Sequence, residues 1–264
     1  MSLTFEPESE DSVPIARIKG KKEGFVYLND DEEYNLNGDR LASPKLRKLK
    51  AIDNDTQFFP LVNILKDNND RVFVCGKSGV GKTYRFIRPY VKEFKQTFKN
   101  SKVYLFSSKA EDKALDDLPI QRITVEEDFI DNPIDIKQLT NKNGQPNLII
   151  FDDIQDFKSK KINYEIARLR DEVMRNGRAK GIFSVFVWHE CTDFIRTKSQ
   201  IYEANKIIIF PRKAGVGLYD YLMTKYLYLP KKLQTVITSL KSSYVCINKE
   251  VPRYIMSDKY IMLI

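Results

Sequence analysis

Gly76-Lys77-Ser78-Gly79-Val80-Gly81-Lys82-Thr83 follows the apolar run Val72-Phe73-Val74-Cys75 and leads into a helical pattern. That succession of strand, glycine-rich loop and helix is the context a phosphate-binding loop requires. The glycines let backbone N–H groups close around a β-phosphate, Lys82 reaches the β/γ oxygens, and Thr83 offers a hydroxyl to Mg²⁺. All eight residues, Gly76 to Thr83, are therefore read as the cradle of a nucleoside triphosphate.

Outward from this loop, short apolar runs alternate with helical periods between Asp70 and Pro211. The runs are Arg71 to Cys75, Val103 to Ser107, Leu148 to Phe151, Ile182 to Trp188, and Lys206 to Phe210. Buried strands alternating with helices predict a doubly wound α/β core, its mainly parallel sheet covered on both faces. The helix after the loop carries Phe86, Tyr90, Phe94 and Phe98 at steps of four, a stripe expected to pack on the sheet, with Pro89 expected to kink it. A second helix, from about Lys161 to Asn176, places Ile162, Ile166, Leu169 and Val173 on one face and leaves Arg168, Arg170 and Arg175 off it.

The core is placed at residues 51–212, with a charged N-terminal extension at 1–50 and a C-terminal extension or lid at 213–264. Residues 1–50 carry an acidic start, Lys19-Gly20-Lys21-Lys22, Asp30 to Glu33, and Lys45 to Lys50, so little regular structure is expected beyond a short strand near Phe25 to Leu28. After Pro211 a Tyr- and Lys-rich tail precedes β-prone segments around Thr235 to Ile247 and Tyr254 to Ile264, which suggests a lid or an added edge hairpin.

Composition sets outer bounds. With 264 residues, 42% of them hydrophobic, the chain can build a substantial core unaided. An excess of 44 Lys and Arg over 36 Asp and Glu, net +8, fits a polyanionic partner without demanding one. Cys75, Cys191 and Cys246 lie far apart with no ligand-like spacing, which points away from disulfides and zinc and toward a reducing compartment. No apolar stretch approaches the roughly 18 residues of a membrane span, and the acidic start is unlike a signal peptide, so a soluble intracellular protein is expected.

Seventy residues after Lys82, Asn147-Leu148-Ile149-Ile150-Phe151-Asp152-Asp153 reads as a buried strand ending in two carboxylates. Asp152 is expected to hold Mg²⁺ through its water shell and Asp153 to polarise an attacking water. The strand candidate Val103 to Ser107 comes between the two motifs in the chain, an arrangement similar to P-loop ATPases that add a strand there. No guanine-selecting Asn-Lys-x-Asp motif is present, which favours ATP over GTP. His189, the only histidine, ends the run Ile182 to Trp188, where it could touch the γ-phosphate or the lytic water.

Gly177-Arg178-Ala179-Lys180-Gly181-Ile182, continuing to His189, resembles the helix-to-strand segment of FtsK/HerA-type DNA-pumping ATPases, in which the strand commonly ends in Gln. The segment Ala204-Asn205 before Lys206 to Phe210 is similar to the pair that precedes their last core strand. With the Asp152-Asp153 pair, the chain resembles the genome-packaging ATPases of large double-stranded DNA viruses and virophages over residues 70–212. The resemblance implies ATP hydrolysis with Mg²⁺, a homo-oligomeric ring, sequence-independent contact with double-stranded DNA, a capsid or portal-vertex partner, and a host cytoplasm, viral factory or virion setting. It also implies an arginine acting on a neighbour's nucleotide, for which Arg178 leads, then Arg212, with Arg175 and Arg196 as other choices. Two departures stand out, His189 for Gln and Asp153 for the frequent Glu. Pore-facing DNA contacts are expected from Lys109 and Lys113, or from Lys158, Lys160 and Lys161. A helicase or loader, or a non-motor ATP switch or scaffold, remains an alternative.

Overall fold

The structure is a computed structural model and describes residues 1–20, 23–29, 48–51, 55–63, 69–141, 144–155, 157–191, 193, 196–211, 217 and 219–264. By compactness it divides into one unit made of Met1–Leu61 with Val245–Ile264 and a second made of Val62–Tyr244. These limits differ from the boundaries at 50 and 212 that the sequence patterning suggests.

Strands form in the first unit despite its charge. β1 (Ser2–Thr4), β2 (Val13–Lys19), β3 (Gly24–Asn29) and β5 (Gln57–Pro60) make an antiparallel sheet in the order β1-β3-β2-β5, of which β4 (Lys48–Lys50) is not a member. Residues 2–29 thus hold three strands where the sequence reading expected one. The charges are accommodated on aromatic faces: Arg17 lies 4.9 Å over the Phe25 ring and Lys19 4.8 Å over Phe59. Leu3, Ala16, Val26 and Phe58 fill the interior.

In the second unit the strands are β6 (Arg71–Cys75), β7 (Val103–Ser107), β8 (Gln121–Thr124), β9 (Asn147–Phe151), β10 (Ile182–Trp188) and β11 (Lys206–Ile209). They pair in parallel in the order β8-β7-β9-β10-β6-β11. Every residue of β7, β9, β10 and β11 is buried, as a sheet covered on both faces requires. The helices are α1 (Arg88–Thr97), α2 (Asp128–Asp131), α3 (Lys160–Asn176), α4 (Lys198–Glu203) and α5 (Lys231–Ser239). The strand that separates β6 from β9 in space is β10, and β7 lies on the far side of β9. The added strand is therefore not the one that intervenes in the chain.

Local chemistry sets the helix ends. Thr83–Ile87 winds as a π-helical turn in which Arg88 N–H reaches back to Thr83 O, and Pro89, lacking an N–H, takes the first turn of α1. The expected disturbance at Pro89 is thus a change of winding. Phe86, Tyr90 and Phe94 are buried as the stripe predicts, and Phe98, just past α1, packs its ring 5.4 Å from Phe183. α3 starts at Ser159, whose Oγ accepts from Ile162 N–H at 3.4 Å. It ends at Gly177, where a Cβ would meet Val173 O at 2.3 Å. Contrary to its expected exclusion from the apolar face, Arg170 is buried, with its guanidinium 5.0 Å over the Trp188 ring. Burial pushes its pKa down to about 10.

The last strands belong to the first unit: β12 (Val245–Asn248), β13 (Tyr254–Ser257) and β14 (Tyr260–Leu263) pair antiparallel in sequence order, and β14 pairs with β4. The hairpin expected near the C-terminus is present. Thr235 to Ser239, expected to be β-prone, is instead the second half of α5, because Gln234 and Ile237 bury on one helical face.

Candidate active site

Parallel strands end on one side of their sheet, so the segments after β6, β7, β9 and β10 emerge together. After β6 the backbone turns through Gly79 at φ 75° and Gly81 at φ 99°, left-handed conformations that glycine adopts without a Cβ penalty. Lys77, Ser78 and Gly79 are exposed, while Lys82 is buried. Its ammonium donates to Gly76 O at 2.7 Å and Lys77 O at 3.3 Å, so the lysine folds back over its own loop. Burial lowers the Lys82 pKa, and the nearby Asp152 and Asp153 carboxylates act in the opposite direction.

The two carboxylates after β9 occupy different surroundings. Asp152 is buried, and desolvation, then repulsion from Asp153, pushes its pKa up to about 6. Asp153 stands in the left-handed region at φ 54°, rare for a residue with a side chain. That conformation turns its carboxylate toward the ends of β7 and β10. Oδ1 meets His189 Nε2 at 2.8 Å, and Oδ2 takes the ammonium of Lys109. Burial pushes Asp153 up, but the hydrogen bonds from Lys109 and His189 prevail and hold its pKa below the ordinary carboxylate value. The same hydrogen bond raises Lys109.

His189 closes the circuit. Its Nδ1 lies 3.2 Å from Lys82 Nζ. Because an ammonium only donates, Nδ1 accepts, and the ring proton resides on Nε2, facing Asp153. Lys82, His189, Asp153 and Lys109 therefore form one chain of polar contacts across the ends of β6, β10, β9 and β7. Gln155 supports it by donating to Val187 O at 2.7 Å and accepting from His189 N–H at 3.4 Å. Below the loop, the Tyr219 hydroxyl accepts from Phe210 N–H at 3.1 Å and donates to Cys75 O at 3.3 Å. Cys75 is buried, and burial followed by a hydrogen bond with Cys191 pushes its thiol up.

The residues fit magnesium-bound nucleotide on their own chemistry. A dication beside Asp152 would offset the burial and the carboxylate repulsion that raise its pKa, and Thr83 stands half-buried at the mouth of the same loop. Among the described residues no group of three or more His, Cys, Asp and Glu could hold a metal by itself. A metal here would instead share Thr83 and Asp152 with phosphate oxygens.

The chain has the fold of viral packaging NTPases. It superposes on the genome packaging NTPase from Sulfolobus turreted icosahedral virus 2 in complex with ATP-gammaS with a TM-score of 0.52 at 14% identity, covering 74% of this chain and 99% of that one. For the DNA-packaging ATPase from Sulfolobus turreted icosahedral virus the TM-score is 0.51 at 15% identity, over 73% and 98%. An uncharacterized protein of Sputnik virophage is 27% identical over 265 residues, 97% of each chain. No protein-family model matches.

On this packaging-NTPase fold, Lys82, Asp152, Asp153 and His189 converge, while Arg178 does not join them. It is exposed in the turn before β10, at the amino end of a seven-residue strand whose other end carries His189. At about 3.3 Å per residue, that places it roughly 20 Å from its own chain's loop. Arg175 and Arg196 are exposed, and Arg212 lies outside the described residues. Lys113, Lys158, Lys160 and Lys161 are exposed. Sequence reasoning missed the engagement of Lys109 with Asp153, and also Gln155 and Tyr219. Lys109 follows a strand that ends beside β9, so strand order would have been the signal. Nothing local marks Tyr219. No helix of the described residues is long and apolar enough to cross a membrane.

Proposed function

We propose that this protein is an ATP-driven translocase that moves double-stranded DNA into a preformed viral capsid, working as a homo-oligomeric ring. The observation that supports it best is the convergence of Lys82, Asp152, Asp153 and His189 where three adjacent parallel strands end. Lys82 would bind the β/γ phosphates, Thr83 and Asp152 would hold Mg²⁺, Asp153 would take the proton of the attacking water, and His189 would report the state of the γ-phosphate to Asp153. When bound, Mg²⁺ supplies charge neutralisation at the phosphates.

Arg178 is assigned to the neighbouring subunit's nucleotide, a role consistent with its distance from its own loop. Net charge +8 and the exposed lysines around the site suit contact with phosphates without reading bases. The direct test is ATP turnover with and without linear duplex DNA across a salt series, comparing wild type with Lys82→Ala and Asp153→Asn. The expected result is loss of turnover in both variants and stimulation that fades as salt rises. Wild type that binds ATP without hydrolysing it in the presence of DNA and Mg²⁺ would make the protein a switch. Arg178→Ala is expected to bind nucleotide without turning it over, and mixing it with Lys82→Ala subunits should restore part of the activity.

A further inference from the structure

Away from the nucleotide site, three tyrosines gather on the surface of the second unit. The Tyr226 ring lies 5.5 Å from that of Tyr202 and 5.9 Å from that of Tyr221, centre to centre. Tyr202 is 50% exposed and Tyr221 47%, whereas Tyr226 between them keeps only 7%. Its hydroxyl is out of water and has no hydrogen-bond partner among the described residues. A covered phenol without an acceptor is unfavourable in a free subunit, and a partner that brings an oxygen relieves it.

The patch has a place and a charge. Tyr202 lies in α4, whose next residue Glu203 pairs with Arg71 at the start of β6 at 3.4 Å, so the cluster stands at the amino end of the parallel sheet. The turn that carries Arg178 precedes β10 at that same end. Exposed Lys198 opens α4, and exposed Lys225 lies in the π-helical turn Leu222–Tyr226. Lys231 and Lys232, also exposed, begin α5, which Gln234 ties to that turn by donating to Thr224 Oγ1 at 3.2 Å. Against these ammonium groups stand Asp220, exposed, and Glu203, already paired with Arg71. An aromatic patch flanked by lysines suits an acidic segment.

Such a segment lies in the first unit. Phe5-Glu6-Pro7-Glu8-Ser9-Glu10-Asp11 leads from β1 toward β2, and every one of these residues is exposed. Hydrogen bonds hold it in one shape: Ser12 Oγ accepts from Glu8 N–H and Ser9 N–H, each at 3.0 Å, and Thr4 Oγ1 donates to Glu6 O at 2.6 Å. Its carboxylates and Phe5 are thereby presented with little ordering left to lose on binding.

We propose that this acidic loop of one copy docks on the tyrosine cluster of the next, a carboxylate accepting from the Tyr226 hydroxyl while the lysines face the remaining acids. A surface that meets a different surface of the next copy is the heterologous contact from which closed rings are built. This rests on the ring of the translocase reading and specifies which surfaces join its subunits.

The experiment is sedimentation velocity of the full-length protein over a concentration series with Mg²⁺ and ATP-gammaS, at low and high salt. It compares wild type with Glu8→Lys plus Glu10→Lys, with Lys198→Glu plus Lys225→Glu, with a chain carrying all of these reversals, and with Tyr226→Phe. Thermal melting of each variant verifies folding. Either pair of reversals is expected to weaken self-association about tenfold at low salt, and the difference to narrow at high salt. The chain with all the reversals should regain wild-type assembly, because every contact then pairs exchanged charges. Tyr226→Phe should weaken assembly about tenfold while melting no lower than wild type, since the hydroxyl it loses has no partner in the free subunit. Reversals that assemble like wild type would overturn the docking, as would a combined chain that recovers nothing. Reversals that lower melting at every concentration and leave assembly unchanged would put the loop on its own subunit, which also overturns it. Tyr226→Phe that assembles as tightly as wild type would overturn the part assigned to the hydroxyl. ATP turnover of the same wild type separates the two readings. Protein that assembles through these surfaces and hydrolyses nothing overturns the translocase and leaves the contact standing, whereas wild type that stays monomeric throughout overturns the ring and the contact together.

Discussion

The two ends of the parallel sheet both bury charge, and they treat it in opposite ways. At the amino ends, Asp70 is fully buried and answered on several sides, by Lys206 Nζ at 2.8 Å, the Tyr90 hydroxyl at 2.7 Å and Asn63 N–H at 3.1 Å. Asn205 adds an acceptor for Arg71 N–H at 2.9 Å, and Asn147 bridges Lys102 N–H and Leu139 O. At the carboxyl ends, Asp152 is pushed up to about 6, Lys82 is pushed down, and Asp153 stands at φ 54°. One end satisfies its buried charges because its task is to hold β6, α1 and β11 together. The other shifts Asp152 and Lys82 against their charged forms and holds Asp153 at a positive φ, as a site awaiting a charged ligand does.

The largest effect that could break this contrast concerns turnover. Asp153→Asn is expected to cost about 10²–10⁴-fold in kcat, the range of a lost general base, with little change in melting temperature. A large loss of stability with turnover retained would place Asp153 with the structural residues. Next is Asp70→Ala, which removes the buried carboxylate that Lys206, Tyr90 and Asn63 all donate to and should cost about 3–5 kcal/mol in denaturant unfolding. A variant as stable as wild type would mean that the amino end is not the load-carrying side.

A smaller effect gives the pH signature. The carboxyl of Asp152 moves from 3.8 to about 6 on folding, so between these values the folded state holds the extra proton. Stability therefore falls as pH rises through that window, and above it the buried carboxylate costs roughly 2–3 kcal/mol. In metal-free buffer, Asp152→Asn should be more stable than wild type at pH 7.5, and the advantage should shrink as pH falls below 6. A pH-independent difference between the two would remove Asp152 from the groups shifted against their charged forms. The smallest effect tests the exception at the carboxyl end, the well-satisfied Tyr219. Tyr219→Phe leaves Phe210 N–H buried without its acceptor and should cost about 1–2 kcal/mol in thermal or denaturant unfolding.

These two ends differ in how far they can be read from the chain. The loop Gly76 to Thr83 and the pair Asp152-Asp153 are legible because their chemistry depends on local backbone conformation and strand termination. The stripe Phe86, Tyr90 and Phe94 is legible because helical spacing alone puts it on one face. Arg170 misled, since its burial depends on Trp188 of another strand. Residues 1–29 misled as well, since cation–aromatic contacts allow charged residues to line a sheet. α5 overrode the β preference of its Thr and Val residues through burial of Gln234 and Ile237.

The sequence by itself determined the nucleotide cradle, the carboxylate pair and the alternation of buried strands with helices, because each is written in residues close together along the chain. Tertiary structure alone decided that β10 separates β6 from β9, that His189 joins Lys82 to Asp153, and that Lys109 meets Asp153 from a strand 44 residues away in the chain. Strand order in a parallel sheet is settled by the packing of both its faces. No local run of residues encodes which strand ends will become neighbours.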